Sequence, residues 1–352
     1  MGPGLGKGAV TDRITKAAID VGTISVRLLV AEVSGTEIRP LARRAEVTRL
    51  GQGVGVRGKL ATAARRRTAE VVGRFVAEAR ALGANELIVA GTSAAREAAD
   101  GEEFLQELGK IHAVATVVLP GSQEAELAYA GVSSDLKGDL VVLDIGGGST
   151  ELITRDAGGS LRSASLALGA NRATERWLHS DPPTYEEISG AYAEAQAVFA
   201  RVVQEFGASK PRDFSPSLSV CVPEAWSGTS ASSPGLTDQI WGGEGYTSEP
   251  VLVGVAGTVV TLASLEAGLK QYDPDVIHHR RLSRKSVSKL LDMLAALNTR
   301  RRAALPCVQR GRAAVLPGGA IVLLAAMDTL GYEELLVSER DLLEGLVLWG
   351  AK

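Results

Sequence analysis

The sequence predicts an α/β protein built from two similar domains that face one another across a cleft. Three observations carry this prediction. Three consecutive strand patterns open the chain and are followed by helix and strand in alternation. The order then restarts near Leu140. The two openings also share a local pattern: AIDVGTIS (18–25) and LDIGGGST (143–150) are each an apolar strand, an aspartate, an apolar residue, a glycine and a nearby hydroxyl. A length of 352 residues suits two domains. The expected bounds are 12–134 and 135–352, with the last helix, about 339–350, packing back on the first domain.

Taken in order, the opening strands are TKAAIDVG, ISVRLLVAEVSG and TEIRPLARRAEV, the middle one setting Val26, Leu28 and Val30 against Arg27 and Leu29. A helix follows from about Leu60 to Leu82, with Val71, Val72, Phe75, Val76 and Ala79 on one stripe. Next come strand ELIVAG, helix EEFLQELGK, strand AVATVVL and helix SQEAELAYAGV. That is the element order of a ribonuclease-H-like domain. From Leu140 the pattern is strand, glycine turn, strand, a short turn at Gly158–Gly159 and strand LRSASLAL, then a long helix over Thr184 to Phe206. VLVGVAGTVVTLASL is a third strand–turn–helix, with Gly254 and Gly257 just ahead of a helix N-terminus. Residues 208–250, rich in Ser, Gly and Pro, are expected to form a long mobile surface insertion.

Composition excludes several classes. Aromatic residues make up only 4% of the chain, which argues against base-stacking platforms and hence against nucleic acid as a partner. Cys221 and Cys307, with His112, His179, His278 and His279, give neither a disulfide framework nor a zinc spacing. The segment MGPGLGKGAVTDR lacks the apolar core of a secretory signal, and no apolar run approaches membrane-spanning length. The expectation is a cytoplasmic protein without a membrane partner. Net charge is −3, yet residues 278–312 hold ten Lys or Arg against the single acid Asp292. That run reads either as a solvated face or as a patch for a polyanion.

The glycine turns point to phosphate chemistry. A Gly-rich turn lets backbone N–H groups approach an anion closely. Asp20 and Asp144, at the mouths of two facing turns, suit magnesium, which prefers hard oxygen ligands and substrate phosphates. Backbone N–H groups around Gly22, around Gly146, Gly147 and Gly148, and around Gly257 can bind phosphoryl oxygens. Thr23, Ser25, Ser149, Thr150 and Thr258 add hydroxyls, Glu151 is placed to orient a water or the metal shell, and Arg27 is expected to clamp a phosphate oxygen. This constellation fits the actin, chaperone and sugar-kinase superfamily in general. It would serve ATP hydrolysis, sugar phosphorylation or another phosphoryl transfer.

A narrower resemblance comes from eight ordered stretches. AIDVGTISVRLLV, IVAGTSAAREA, LPGSQEAELAYAGV, LDIGGGSTELI, SLALGANRATERWL, DPPTYEEI, GVAGTVVTLASL and VLPGGAIVLLAAMDTLGYEELLVSERDLLEGLVL resemble, in this order, the exopolyphosphatase / guanosine pentaphosphate phosphohydrolase family, in its short two-domain form. The resemblance implies two ribonuclease-H-like domains of the actin-like ATPase superfamily with an interdomain cleft. It implies Mg2+ as cofactor, with a monovalent cation as a further candidate, and a homodimer. By position the family's catalytic glutamate falls on Glu124, and Thr92, Ser93 and Arg96 match a motif lining the phosphate path. Arg312 matches a substrate-phosphate arginine. The chain departs from the family at Ile24, where Asn is common, at Ala256 for Gly, at Glu126 for Arg and at Leu343 for Arg. The expected reaction is magnesium-dependent hydrolysis of terminal phosphate from inorganic polyphosphate by direct water attack. Guanosine pentaphosphate is the alternative substrate, and an ATP-dependent small-molecule kinase is the alternative of another class.

Overall fold

The computed structural model describes residues 13–156, 158–206 and 250–349. The expected insertion at 208–250 lies, except for Pro250, outside the described residues.

The first sheet begins as an antiparallel meander of β1 (Ile14–Val21), β2 (Ser25–Ser34) and β3 (Glu37–Val47). Two strands join it in parallel, β4 (Glu86–Gly91) beside β1 and β5 (Ala115–Val118) at the edge, giving the order β3-β2-β1-β4-β5. The connections are the short helix α1 (Val54–Arg57), α2 (Thr62–Ala81), α3 (Ser93–Glu97), α4 (Gly101–His112) and α5 (Gly121–Ser133). The stripe read from the sequence is the face that α2 buries, with Val71, Val72, Phe75, Val76 and Ala79 against Ile19, Val26 and Leu28.

The second sheet repeats the plan with β6 (Leu140–Ile145), β7 (Thr150–Arg155), β8 (Leu161–Leu166), β9 (Val251–Val255), β10 (Arg281–Ser283) and β11 (Glu334–Val337). Its order, β10-β11-β9-β6-β7-β8, reproduces the first sheet with one added edge strand. Its helices are α6 (Ala170–Trp177), α7 (Tyr185–Glu205), α8 (Ala256–Glu266), α9 (Pro274–Ile277), α10 (Arg284–Ala295), α11 (Thr299–Arg302) and α12 (Leu316–Leu330). A capping box starts α7: Thr184 Oγ1 accepts from Glu187 N at 3.3 Å while Thr184 N donates to Glu187 at 2.8 Å. Every residue of α12 is buried, so this helix is the centre of the larger core rather than an amphipathic cover. The unread helices α1, α3 and α6, of four, five and eight residues, are shorter than the window over which an apolar stripe can be read.

The chain returns to the first sheet at α13 (Leu342–Trp349), whose Leu342, Leu343, Leu346 and Val347 pack with Ala18, Leu29 and Ala31. It also crosses α5 at glycines. A Cβ on Gly345 would collide with the Leu127 backbone, and one on Gly131 with the Asp341 carbonyl. Only hydrogen at both places permits the approach.

Candidate active site

Two matching hairpins face each other. The β1–β2 turn is closed by Gly22 N donating to Ser25 O, and the β6–β7 turn by Gly146 N donating to Ser149 O, both at 3.0 Å. Among the described residues no acceptor takes the N–H of Thr23, Ile24, Gly147 or Gly148. A Cβ on Gly147 would lie 2.6 Å from the Ile24 side chain and 2.9 Å from Thr23 Cβ, so the turns nearly touch. Between them is a cavity of about 70 Å3. Unpartnered N–H groups along two Gly turns make an anion cradle.

Sixteen of the nineteen expected site residues line that cavity: Asp20, Gly22, Thr23, Ser25, Arg27, Thr92, Ser93, Glu124, Asp144, Gly146, Gly147, Gly148, Ser149, Gly257, Thr258 and Arg312. The other three stand behind it. Glu151 is buried cross-strand from Asp144 and accepts from Ser165 Oγ at 2.8 Å. Thr150 is fully buried beside it. Arg96, expected on the phosphate path, instead donates from Nη1 to Glu124 Oε2 and to Leu119 O, each at 2.8 Å. It therefore orients Glu124.

The third wall is the start of α8. Ala256 there has φ 67°, the left-handed region that a side chain disfavours, which is the physical reason a glycine suits this turn. At Gly257 the Arg312 guanidinium occupies the space a Cβ would fill. Arg312 Nη2 donates to Ser25 Oγ at 3.3 Å, bringing the second sheet's loop onto the first hairpin. That loop is held by a residue the sequence reading passed over: Arg49 donates to Gly311 O from Nη2 at 2.7 Å and Nε at 3.1 Å.

Burial sets the electrostatics. Asp20, Glu124, Asp144 and Glu151 are all buried carboxyls. Desolvation raises Glu124 to about 7, against the opposing pull of Arg96. Desolvation, followed by the charge of Asp341, raises Asp144 to about 8. Glu151 is held well above its ordinary value by burial and then by Glu124 and Asp144. Asp20 is raised by burial, with Arg27 opposing. On the cationic side, burial and then Arg27 lower Arg312 to about 10. Burial alone would lower Arg27, but Asp341, Asp20 and Asp144 together outweigh it and raise it well above its ordinary value.

Two expectations change in the structure. Arg27 sits in the lining but is committed to Asp20 and Asp341, so it is a partly buried counter-charge where a free phosphate clamp was expected. The basic run expected to guide substrate is neutralised in part: Arg280 pairs with Glu266, Arg281 with Glu334, and Arg284 with buried Asp328. Arg302 is buried and donates to the Leu294 carbonyl at 2.7 Å. Outside the cavity, His278 Nε2 lies 2.8 Å from Asp135 Oδ2, with His279 Nε2 3.6 Å from the same oxygen. His278 Nδ1 accepts from Glu339 N at 3.1 Å, so its Nε2 carries the proton and does not offer a metal lone pair. A larger cavity of about 990 Å3 adjoins the first past Gly257 and Arg312, with Tyr272, Val260, Val308 and Leu343 on its walls.

Residues 29–213 and 241–351 match the profile of the Ppx/GppA phosphatase family. Exopolyphosphatase 2 of Mycobacterium tuberculosis is 32% identical over 348 residues, covering 94% of this chain and 97% of that protein. A guanosine-5'-triphosphate,3'-diphosphate pyrophosphatase of Aeromonas hydrophila is 24% identical, over 94% of this chain and 58% of its own length. The crystal structure of an exopolyphosphatase-like protein superposes with a TM-score of 0.78 at 28% identity, covering 96% of this chain and 98% of that one. Among the described residues no helix is long and apolar enough to cross a membrane.

Proposed function

Because this chain belongs to the Ppx/GppA phosphatase family, we propose that it is a cytoplasmic, magnesium-dependent exopolyphosphatase releasing terminal phosphate from inorganic polyphosphate by direct attack of water. The observation that carries the reading is Glu124: a carboxyl raised to about 7, fixed by Arg96 and facing a cavity lined by two hairpins with unpartnered N–H groups. A general base with a pKa near the working pH accepts a proton efficiently from an attacking water. The N–H groups of Thr23, Ile24, Gly147 and Gly148 and the guanidinium of Arg312 then meet the charge that grows on the phosphoryl oxygens. The small cavity admits a terminal phosphate and little else.

The residues fit a divalent cation. The Asp144 carboxyl accepts no hydrogen bond among the described residues, and Asp144 lines the cavity with Glu124. Asp20 Oδ1 is buried without a partner. Four buried carboxyls in one place call for positive charge beyond Arg27. Asp144 and Asp20 would hold magnesium, with Glu124 and Glu151 behind them. When bound, the ion would neutralise the carboxylates and polarise a phosphoryl oxygen. The homodimer rests on the family resemblance alone.

Guanosine pentaphosphate is the second reading, favoured by the cavity of about 990 Å3 with Tyr272, Val260 and Val308 on its walls, roomy enough for a nucleoside. Phosphate release is to be measured side by side from long polyphosphate, tripolyphosphate, guanosine pentaphosphate and ATP. Turnover of polyphosphate above the two nucleotides supports the first reading. Preference for guanosine pentaphosphate replaces it with the second, and preference for ATP with transfer to an acceptor overturns both.

A further inference from the structure

Arg27 and Asp20 are cross-strand partners on β2 and β1, as Glu151 and Asp144 are on β7 and β6. The two halves thus place opposite charges at equivalent positions. Arg27 turns both edges of its guanidinium onto carboxylates: Nε and Nη2 lie 2.9 and 2.8 Å from Asp20 Oδ2, while Nη1 donates to Asp341 Oδ2. Asp341 is itself locked. Its Oδ1 accepts from Leu343 N at 3.0 Å, and its N–H donates to Glu344 Oε2 at 2.9 Å, so it caps α13 with one oxygen and takes Arg27 with the other. Its side chain is 5% exposed.

We propose that Asp341 is a positioning residue for phosphate hydrolysis, drawing Arg27 onto Asp20 and away from the phosphate. The inference rests on reading the cleft as a phosphohydrolase site. Released from Asp341, the Arg27 fork would be the strongest phosphate donor on the cavity wall, because guanidinium binds phosphate through paired, charge-assisted bonds. Such a clamp grips substrate and product phosphate alike, and binding that is equal in ground and transition state does not raise turnover. Asp341 prevents this without touching the phosphate.

The test compares the natural protein with D341N, R27Q and the double variant; Asn keeps an oxygen for the α13 cap while removing the charge. Orthophosphate affinity is measured by calorimetry, and kcat and KM with tripolyphosphate. In D341N orthophosphate should bind about tenfold more tightly and kcat should fall about tenfold with KM unchanged or lower. On the R27Q background the same substitution should change each quantity by less than about twofold. The proposal is overturned if either quantity in D341N stays within about threefold of the natural protein, or if R27Q does not abolish the changes. A crystal structure of D341N decides the geometry independently of turnover: an Arg27 guanidinium still lying on Asp20 as before overturns the inference. Absence of turnover by the natural protein on tripolyphosphate and guanosine pentaphosphate would instead count against the functional reading, and phosphate affinity and Arg27 position would still decide the role of Asp341.

Discussion

Glu124, the proposed base, shows how burial changes a helix-start acid. An exposed carboxyl in the first turn of α5 would only be favoured by the helix dipole. Here burial raises it to about 7, and Arg96 fixes one oxygen while the other stays available to the cavity. Glu124→Gln keeps the shape and the link to Arg96 but cannot take a proton. Turnover should fall by ~10²–10⁴-fold while affinity for polyphosphate stays close to normal. A variant that retains more than about a tenth of the natural rate refutes the assignment. With Glu124 as the base the active form is the deprotonated one, so kcat/KM should climb as pH rises through about 7. A profile flat between pH 6 and 8 would exclude Glu124 as the titrating group.

At the scale of elements, the basic run and the α5–α13 crossing make opposite demands. Arg280 and Arg281 sit in exposed ion pairs, which contribute little. Replacing both with Ala should leave polyphosphate affinity and its salt dependence nearly unchanged; a clear loss of salt dependence would restore the run as a substrate path. Gly345→Ala inserts a methyl where the Leu127 backbone lies, with no flexible side chain to yield. It should cost roughly 1–3 kcal/mol or more in a denaturant titration, against a few tenths for a neutral surface change. An unchanged midpoint would mean that the helices separate easily. The elements with a full period were legible in the sequence: α2, α7, the hairpin strands and ELIVAG all form within a residue or two of where their patterns place them. The site's lining was legible too, because glycine, hydroxyl and aspartate recur at equivalent turns. What Arg27 does was not, since its partner Asp341 lies 314 residues away in sequence. The signal available was DLLE at 341–344, an acid and a Glu three residues on before an apolar run, which marks a helix start but not its contact.

The whole molecule gathers four acids into its cleft, and its stability must reflect this. Glu124 at about 7 and Asp144 at about 8 bind protons in the folded state that the unfolded chain has released above their ordinary values of 4.5 and 3.8. With more protons bound when folded, stability falls as pH rises through this window. The metal-free protein should therefore melt at a lower temperature at pH 8 than at pH 5. Magnesium should raise the melting temperature more at pH 8, where the carboxylates are ionised, than at pH 5. Equal magnesium shifts at both values would contradict a carboxylate-held ion.

The return of α13 to the first sheet also has a consequence for synthesis on the ribosome. Leu29 and Ala31 of β2 are emitted early, yet the leucines that cover them arrive only with residues 342–347. At typical elongation rates of ~5–20 residues per second, that apolar face waits on the order of tens of seconds for its lid. The nascent first half is thus a holding state, and chaperone occupancy should peak after β5 has emerged and end when α13 does.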